Sequence, residues 1–271
     1  MSETDSTRSM ALFCDFENIA LGVRDMKYAR FDIDKVLERL LLKGNIVVKK
    51  AYCDWARYKE FKGGMHEASF ELIEIPHVRL SGKNSADIRL VVDALDLCYT
   101  KAHVDTFVII SGDSDFSPLV SKLRENNKMV IGVGVKKSTS DLLIANCDEF
   151  IFYDDLVGRV RPRKKARDER ARKRSSGKRK GKAASSAEDK KQEAWDLIVE
   201  TYEALLEERG EEDKIWGSMI KQTLKRRKPG FSESSYGFSS FGRLLAEAGA
   251  NGILDLERDE RSGGYIIKGS L

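Results

Sequence analysis

The chain is 271 residues long, which is long for one domain and sufficient for two. No apolar run approaches the ~20 residues that a membrane-spanning helix needs, and the first ten residues carry no apolar signal-peptide core. The four cysteines form no CxxC pair, so we expect neither a zinc site nor a disulfide framework. These features favour a soluble protein of a reducing, cytoplasmic compartment with no membrane partner.

The first part of the chain alternates apolar, strand-like segments with amphipathic, helix-like segments. Strands are predicted at 10–15, 46–55, 71–75, 106–111, 129–135 and 149–153, and helices at 32–42, 58–70, 86–100, 116–125 and 138–145. This alternation is typical of βαβ units, which form a mostly parallel sheet with helices on both faces. We therefore predict an α/β domain over residues 1–158.

The next segment is strongly basic. Between Arg159 and Lys182 there are fourteen Lys or Arg against only Asp168 and Glu169. A block of this kind is typical of a disordered segment that attracts polyanions, so residues 159–190 are predicted to be a flexible linker. A solvating spacer and, in a eukaryote, a nuclear import signal are the alternative roles. The candidate phosphate contacts are Lys164, Lys165, Arg172, Lys173, Arg174, Lys178, Arg179 and Lys180.

The remaining residues, 191–271, predict a second and smaller domain. Helices at 194–206, 215–224 and 238–248 precede a hairpin formed by 253–256 and 265–267. Three helices and a hairpin in this order indicate a winged helix-turn-helix. A basic strip near Phe231 and Tyr236 suits phosphate contact, although such rings are more often core than stacking platform. The strip consists of Lys221, Lys225, Arg226, Arg227 and Lys228.

Acidic residues follow the predicted strands at one edge of the sheet. Asp15 ends the first strand, Asp113 and Asp115 follow the fourth, and Asp87 lies in the first turn of a helix. Ligands sit at the carboxyl ends of parallel strands, so we expect these carboxylates to converge in a crevice. Converging carboxylates repel, and a hard divalent cation is the usual remedy. Helix capping by Asp113 or Asp115 is the alternative, but one aspartate would suffice for it.

Such a cluster can hold one or two Mg²⁺ or Mn²⁺ ions, with a pair ~4 Å apart across a scissile phosphate. One ion would activate a water and the other would stabilise the departing oxygen. Asn18 and Ser111 are candidates to hold Asp15 or the phosphate, and Lys83 and Asn84 to steady the phosphate. A solvated turn lysine is the alternative for Lys83.

Three sequence blocks resemble the signature blocks of NYN-domain nucleases, in the PIN-like superfamily and closest to its LabA-like branch. They are DFEN at 15–18, GKNSADIRLVVDAL at 82–95 and SGDSDF at 111–116. The resemblance implies a PIN-like fold over residues 10–153 and divalent-metal-dependent RNA cleavage. It also implies that the metal-binding acids are Asp15, Asp87, Asp113 and Asp115, with Asn18 as their polar partner. Asp93 fits the same pattern but lies about 240° around the helix from Asp87, so we predict a structural role for it.

The stretch 193–269 is similar to an OST-HTH (LOTUS) domain. The resemblance lies in the helix around Trp195, the block 215–245 and the final GGYIIKG. It implies RNA binding, docking of a protein partner or assembly into a homo-oligomer.

Three functions remain open from the sequence. The first is a metal-dependent endoribonuclease that leaves a 5′-phosphate and a 3′-hydroxyl, and the second is a catalytically weak RNA-binding adaptor of the same fold. The third is a haloacid dehalogenase-type phosphohydrolase, which would need an Asp where Glu17 stands. Four side chains of the first domain are candidates to stack on RNA bases, although for Trp55 and Tyr58 the better explanation is that they cover the edges of the core. These four are Trp55, Arg57, Tyr58 and His66.

Overall fold

The computed structural model describes residues 8–26, 28, 30–75, 85–157, 184–210, 213–259 and 262–270. The chain divides into two compact units, Met1–Val160 and Arg161–Leu271. No helix within the described ranges is long and apolar enough to cross a membrane. Ten of the predicted phosphate contacts lie outside the described residues, namely Lys83, Asn84, Lys164, Lys165, Arg172, Lys173, Arg174, Lys178, Arg179 and Lys180.

The N-terminal unit is built on a six-stranded parallel sheet with the order β3-β2-β1-β4-β5-β6. Its strands are β1 (Arg8–Asp15), β2 (Gly44–Cys53), β3 (Glu71–Glu74), β4 (Thr106–Ile110), β5 (Met129–Gly134) and β6 (Glu149–Phe152). The strand order reverses between β1 and β4, which pair directly, so the crevice of a doubly wound sheet opens there. The predicted α/β fold with a mostly parallel sheet is confirmed.

Helices cover both faces of this sheet. They are α1 (Phe16–Asp25), α2 (Ile33–Lys43), α3 (Lys59–Glu67), α4 (Ser85–Thr100), α5 (Ser117–Glu125), α6 (Asp141–Asn146) and α7 (Tyr153–Val157), with a 3-10 turn at Ser114–Phe116. One core lies between the sheet and α1, α2 and α3, and the other between the sheet and α4, α5 and α6. In β1, Met10, Leu12 and Cys14 enter the first core while Ala11 and Phe13 enter the second. Burial on both faces explains why this strand is an unbroken apolar run.

The described part of the C-terminal unit contains three helices and a three-stranded antiparallel sheet in the order β7-β9-β8. Its elements are α8 (Ala184–Arg209), β7 (Ile215–Trp216), α9 (Gly217–Arg227), α10 (Phe241–Ala250), β8 (Leu254–Arg258) and β9 (Tyr265–Ser270), with a 3-10 turn at Glu233–Tyr236. Helices and hairpin occur in the predicted winged-helix order. Their apolar faces enclose one core.

Two boundaries in this region differ from the predicted ones. Residues 184–190 are the first turns of α8 rather than the end of a linker, because Ala184, Ala187, Glu188 and Lys190 are good helix formers and continue the helix around Trp195. Residues Ile215 and Trp216 are a strand rather than the start of a helix, because they pair with Ile267 and Ile266 of β9. The second difference is a long-range pairing that overrides local periodicity.

Candidate active site

Carboxylates gather at the crevice between β1 and β4. Asp15 is the last residue of β1 and the N-cap of α1, and Asp113 is the N-cap of the 3-10 turn that follows β4. By strand alternation Asp15 lies on the same side of the sheet as Ala11 and Phe13, which is the side that α4 covers. Helix α4 carries Asp87 in its first turn. Strand alternation and helix packing therefore bring acids from three separate segments together.

Asp15 is the buried member of this group, with 7% of its surface exposed. One of its oxygens accepts the backbone N–H of Asn18 at 3.4 Å, and the other accepts the hydroxyl of Ser111 at 3.0 Å. Burial, followed by the like charges of Asp87 and Asp113, raises the pKa of Asp15 from 3.8 to about 7, against the lowering effect of those hydrogen bonds. Asp15 is therefore close to half-protonated at neutral pH when no cation is bound.

Asp87 is half-buried and is also affected by the charges of the acidic group. Burial raises its pKa from 3.8 to about 6, and the charges of Asp113, Asp115 and Glu17 raise it further in that order. Asp115 is itself exposed. Glu17 is a member of the group that sequence reasoning did not assign to the site. Its position within DFEN, two residues after Asp15 in the first turn of α1, was the available signal.

A small set of hydrogen bonds joins the ends of β1 and β4 and fixes this geometry. The hydroxyl of Ser111 donates to Asp15 and accepts the backbone N–H of Asp113 at 3.2 Å. The side-chain oxygen of Asn18 accepts the backbone N–H of Gly112 at 2.9 Å. The side-chain amide of Asn18 was predicted to hold Asp15 or the phosphate. In the structure its backbone N–H holds Asp15 and its side chain holds the β4 loop, because the α1 N-terminus meets that loop.

Gly112 is packed too closely for any larger residue. A Cβ at this position would lie 2.5 Å from the carbonyl oxygen of Ser138 and 2.9 Å from Cα of Thr139, which are backbone atoms that cannot rotate away. We expect Gly112→Ala to lower the free energy of unfolding by ~1–3 kcal/mol. It should also displace the loop that carries Ser111 and Asp113. Urea unfolding measures the loss of stability.

Gly64→Ala is the matched control, because a Cβ at Gly64 in α3 would meet nothing within 4 Å. It should be neutral or stabilise by up to ~1 kcal/mol through helix propensity. Equal stability of the Gly112→Ala variant and the wild type would contradict the packing argument.

The carboxylate oxygens of the acidic group are suitable ligands for a hard divalent cation. Among the described residues none of the four aspartates forms an ion pair with a Lys or Arg, so no described cation relieves their mutual repulsion. Within those same residues no three His, Cys, Asp or Glu side chains already form a metal-binding group. Mg²⁺ is usually bound by one or two carboxylates together with water and substrate phosphate oxygens, so the arrangement suits this mode rather than a closed protein cage.

The sequence model of the NYN domain matches residues 9–154, which is more than half of the chain and includes all four aspartates. The chain belongs to the NYN-domain family. This is a nuclease-type family, and NYN and PIN-like nucleases generally use divalent metals. The family resemblance read from the three sequence blocks is thereby confirmed for the N-terminal unit.

Individual relatives match parts of the chain. It is 27% identical over 117 residues to an uncharacterized protein of Methanocaldococcus jannaschii, covering 43% of this chain and 45% of that protein. It is 25% identical over 154 residues to meiosis regulator and mRNA stability factor 1 of Xenopus tropicalis, covering 57% of this chain and 9% of that protein. The chain thus spans less than half the length of either relative.

A solved structure shares the fold of the NYN unit. It is a protein of unknown function from Vibrio parahaemolyticus, superimposed with a TM-score of 0.50 at 26% sequence identity. The match covers 57% of this chain and 98% of the Vibrio chain. Its extent corresponds to one domain, in keeping with the NYN unit.

Asp93 of the NYN domain stands apart from the acidic group. Its carboxylate accepts hydrogen bonds from Tyr52 at 2.9 Å, Lys50 at 3.2 Å and Arg89 at 3.0 Å. Burial acts to raise its pKa, but the hydrogen bonds from Tyr52 and Lys50 outweigh burial and hold the pKa below its ordinary value. Asp93 is therefore a satisfied ionic centre that fastens α4 to β2, which agrees with the structural role predicted for it.

The residues of the NYN domain that were predicted to stack on RNA bases differ in how exposed they are. Trp55 is 1% exposed and packs against Phe16 with ring centroids 4.9 Å apart, so it belongs to the core and is not available to a base. Tyr58 is half-buried, whereas Arg57 and His66 are exposed. Arg57 donates to Glu17 at 3.1 Å and so connects this region to the acidic group.

The basic strip of the C-terminal unit is partly neutralised within the unit itself. Lys221 lies 2.9 Å from Glu233, and Arg227 lies 3.3 Å from Glu200. Arg226 donates to the hydroxyl of Thr223 at 3.0 Å.

Lys225 and Lys228 are exposed lysines of the strip, and neither forms an ion pair with any described residue. The rings of Phe231, Phe238 and Phe241 are buried in the core, as expected, and do not offer a platform.

Proposed function

We propose that this protein is a metal-dependent endoribonuclease of the LabA-like branch of the NYN family. The observation that carries the proposal is the group of carboxylates at the β1–β4 crevice, whose pKa values are raised to about 7 and about 6 by burial and mutual repulsion. Strongly shifted acids in a crevice are typical of functional sites, and repelling carboxylates are typical of cation sites. Membership of a nuclease-type family supports the reaction class.

The residues of the chain would divide the work as follows. A bound Mg²⁺ or Mn²⁺ would polarise the phosphodiester and lower the pKa of the attacking water. Asp15, Asp87, Asp113 and Asp115 would supply the carboxylate oxygens that hold it. The buried hydroxyl of Ser111 keeps the Asp15 carboxylate oriented toward the crevice. In-line attack by water would leave a 5′-phosphate and a 3′-hydroxyl.

The contact between α1 and the β4 loop would position the acids. Asn18 ties α1 to Gly112, so the acids on α1 and those after β4 keep their separation while substrate binds. Such fixed geometry matters because a displacement of about 1 Å can cost ~100-fold in rate.

We assign the C-terminal unit to the OST-HTH (LOTUS) class and propose that it and the basic linker bind RNA. The order of three helices and a hairpin supports this assignment, and Lys225 and Lys228 offer exposed positive charge. Docking of a protein partner or self-association through this unit is the alternative.

Deleting residues 161–182 should weaken RNA binding and flatten its salt dependence while leaving the active site intact. Each phosphate neutralised on a single strand contributes about −0.7 to the log-log slope of affinity against salt. Fluorescence anisotropy at several salt concentrations measures the slope. Replacing the segment with a Gly/Ser linker of equal length is the control for spacing, and an unchanged slope would assign the segment to spacing or targeting.

The decisive experiment for the activity is a panel of RNAs incubated with and without Mg²⁺ or Mn²⁺. Wild type should cleave in the presence of either ion and stop in EDTA, while Asp15→Asn should not cleave. Sequencing of the ends should show a 5′-phosphate and a 3′-hydroxyl. Cleavage that persists in EDTA, or equal cleavage by the two proteins, would contradict the proposal.

A catalytically weak RNA-binding adaptor is the second candidate. The observation that favours it is the exposed positive charge of Lys225 and Lys228 in the C-terminal unit, which would bind RNA whether or not the NYN unit cleaves it. Tight RNA binding with no cleavage across the metal titration would support the adaptor. The phosphohydrolase alternative has less support, because Glu17 stands where that family needs a second Asp.

A further inference from the structure

A cavity of about 350 Å³ is lined by residues of the later turns of α1, of the segment that follows it and of the start of α3. Its volume falls at the low end of the range for ligand pockets. Phe31, Tyr58 and Phe61 contribute aromatic walls. Tyr58 and Phe61 are held in place by edge-on packing against the buried ring of Phe16, with centroids 5.6 and 5.1 Å away. The apolar part of the cavity is therefore rigid and preformed.

The polar part of the lining is cationic. Three arginines, Arg24, Arg30 and Arg57, face one glutamate, Glu60. Arg24 is largely exposed, and its described ion pair is a 3.9 Å contact with the equally exposed Asp25. The guanidinium of Arg30 lies 4.6 Å over the ring of Phe61 and donates to the backbone carbonyl of Glu60. An anchored guanidinium plane on a ring is a surface on which a base can stack.

The cavity and the acidic group share one helix. Glu17, which raises the pKa of Asp87, lies at the start of α1 and accepts from Arg57 of the cavity wall at 3.1 Å. Arg24 follows Glu17 by seven residues, which is about 10 Å along the helix axis. A short stretch of single-stranded RNA spans this distance. The surface is therefore negative at the acidic group, where the scissile phosphate would lie, and positive at the cavity.

We propose that this cavity is a nucleotide subsite that takes one base and its phosphate from single-stranded RNA next to the scissile bond. The proposal rests on the nuclease function above. It concerns the surface that would determine which nucleotide of the bound RNA lies at the active site. The rings and the Arg30 plane receive the base, whereas Arg24, whose described ion pair is the long one with Asp25, receives the phosphate. A duplex does not present a free base face, so the subsite selects unpaired RNA.

The test uses the full chain in EDTA, so that binding is measured without cleavage. A short single-stranded RNA carrying 4-thiouridine is irradiated, and mass spectrometry should place adducts on Tyr58 or Phe61. Arg24→Glu should lower RNA affinity by about tenfold and reduce the magnitude of the salt slope by about 0.7. Tyr58→Leu should lower affinity by at least about fivefold through lost stacking.

The matched control is Lys101→Glu, a charge reversal at an exposed lysine that does not line the cavity. Its affinity should stay within about twofold of that of the wild type. Adducts elsewhere, or equal loss in Arg24→Glu and Lys101→Glu, would overturn the subsite even if metal-dependent cleavage is observed. Adducts at Tyr58 in a protein that never cleaves would retain the subsite and remove the nuclease function.

Two competitors test whether the cavity recognises a nucleotide or negative charge alone. Free mononucleotide should displace the labelled RNA only weakly, since it lacks the neighbouring phosphates. A glutamate peptide of equal charge should not displace it, since it lacks a base. Displacement by the peptide at the same concentration as by unlabelled RNA would overturn the assignment to a nucleotide.

Discussion

Asp113→Asn should reduce RNA cleavage by at least ~10²–10³-fold, the range seen when one group that stabilises the transition state is removed. The substitution removes a negative charge that acts on both Asp15 and Asp87. It should leave the local fold intact, because Asn also caps helices and its side-chain oxygen can still accept the backbone N–H of Asp115, now 3.0 Å from Asp113. Single-turnover cleavage and anisotropy with the same RNA measure the loss of catalysis and the retention of affinity.

The control for Asp113→Asn is Asp96→Asn, an equal loss of charge at an exposed position on α4 outside the acidic group. It should cleave at the wild-type rate. The prediction fails if Asp113→Asn retains more than about a tenth of wild-type cleavage, or if its circular dichroism spectrum shows that it has unfolded. In the second case Asp115→Asn, at an exposed side chain, offers a milder loss of charge at the same site.

Much of the fold was accessible from the sequence because the parallel sheet is buried on both faces. Continuous apolar runs such as β4 and β5 can be recognised without knowing their neighbours. Helix α1 was not predicted, because its first turn carries Glu17 and Asn18 and its apolar face is completed only by packing on Phe31 and Trp55. The pairing of β7 with β9 was also out of reach, since two residues form no local pattern.

The residues of the candidate site likewise fall into those that the sequence predicts and those that it does not. An aspartate directly after a buried strand is placed by topology, so Asp15 and Asp113 could be identified from position alone. The contributions of Glu17 and Gly112 depend on how closely α1, α4 and the loop after β5 approach one another. Those distances are fixed by side-chain packing between elements far apart in sequence. No local pattern in the chain reports them.

Asp15→Asn should make the metal-free protein more stable at neutral pH while abolishing cleavage. In the folded protein burial and like charges raise the pKa of Asp15 from 3.8 to about 7. The folded state therefore holds this proton more tightly than the unfolded chain does. The resulting stability is fully present below about pH 4, falls as the pH rises, and is lost once the pH passes about 7. The cost of ionising Asp15 above that pH is on the order of 4 kcal/mol, and Asn removes it.

Urea unfolding of both proteins across this pH range, in EDTA, measures the effect. The free energies of unfolding should converge near pH 4 and diverge toward pH 8, with the variant up to ~4 kcal/mol more stable. Asn can still accept from the backbone N–H of Asn18, and its amide can donate to the Ser111 oxygen in place of the hydrogen bond that the Ser111 hydroxyl now donates to Asp15. Mg²⁺ at about 100 times its dissociation constant should stabilise wild type by ~2.7 kcal/mol and the variant less, because the variant lacks the Asp15 carboxylate as a ligand and the part of the repulsion that Asp15 contributes. A variant less stable than wild type at pH 8, or stabilised equally by Mg²⁺, would show that Asp15 is a structural acid and that the crevice was not built around a cation.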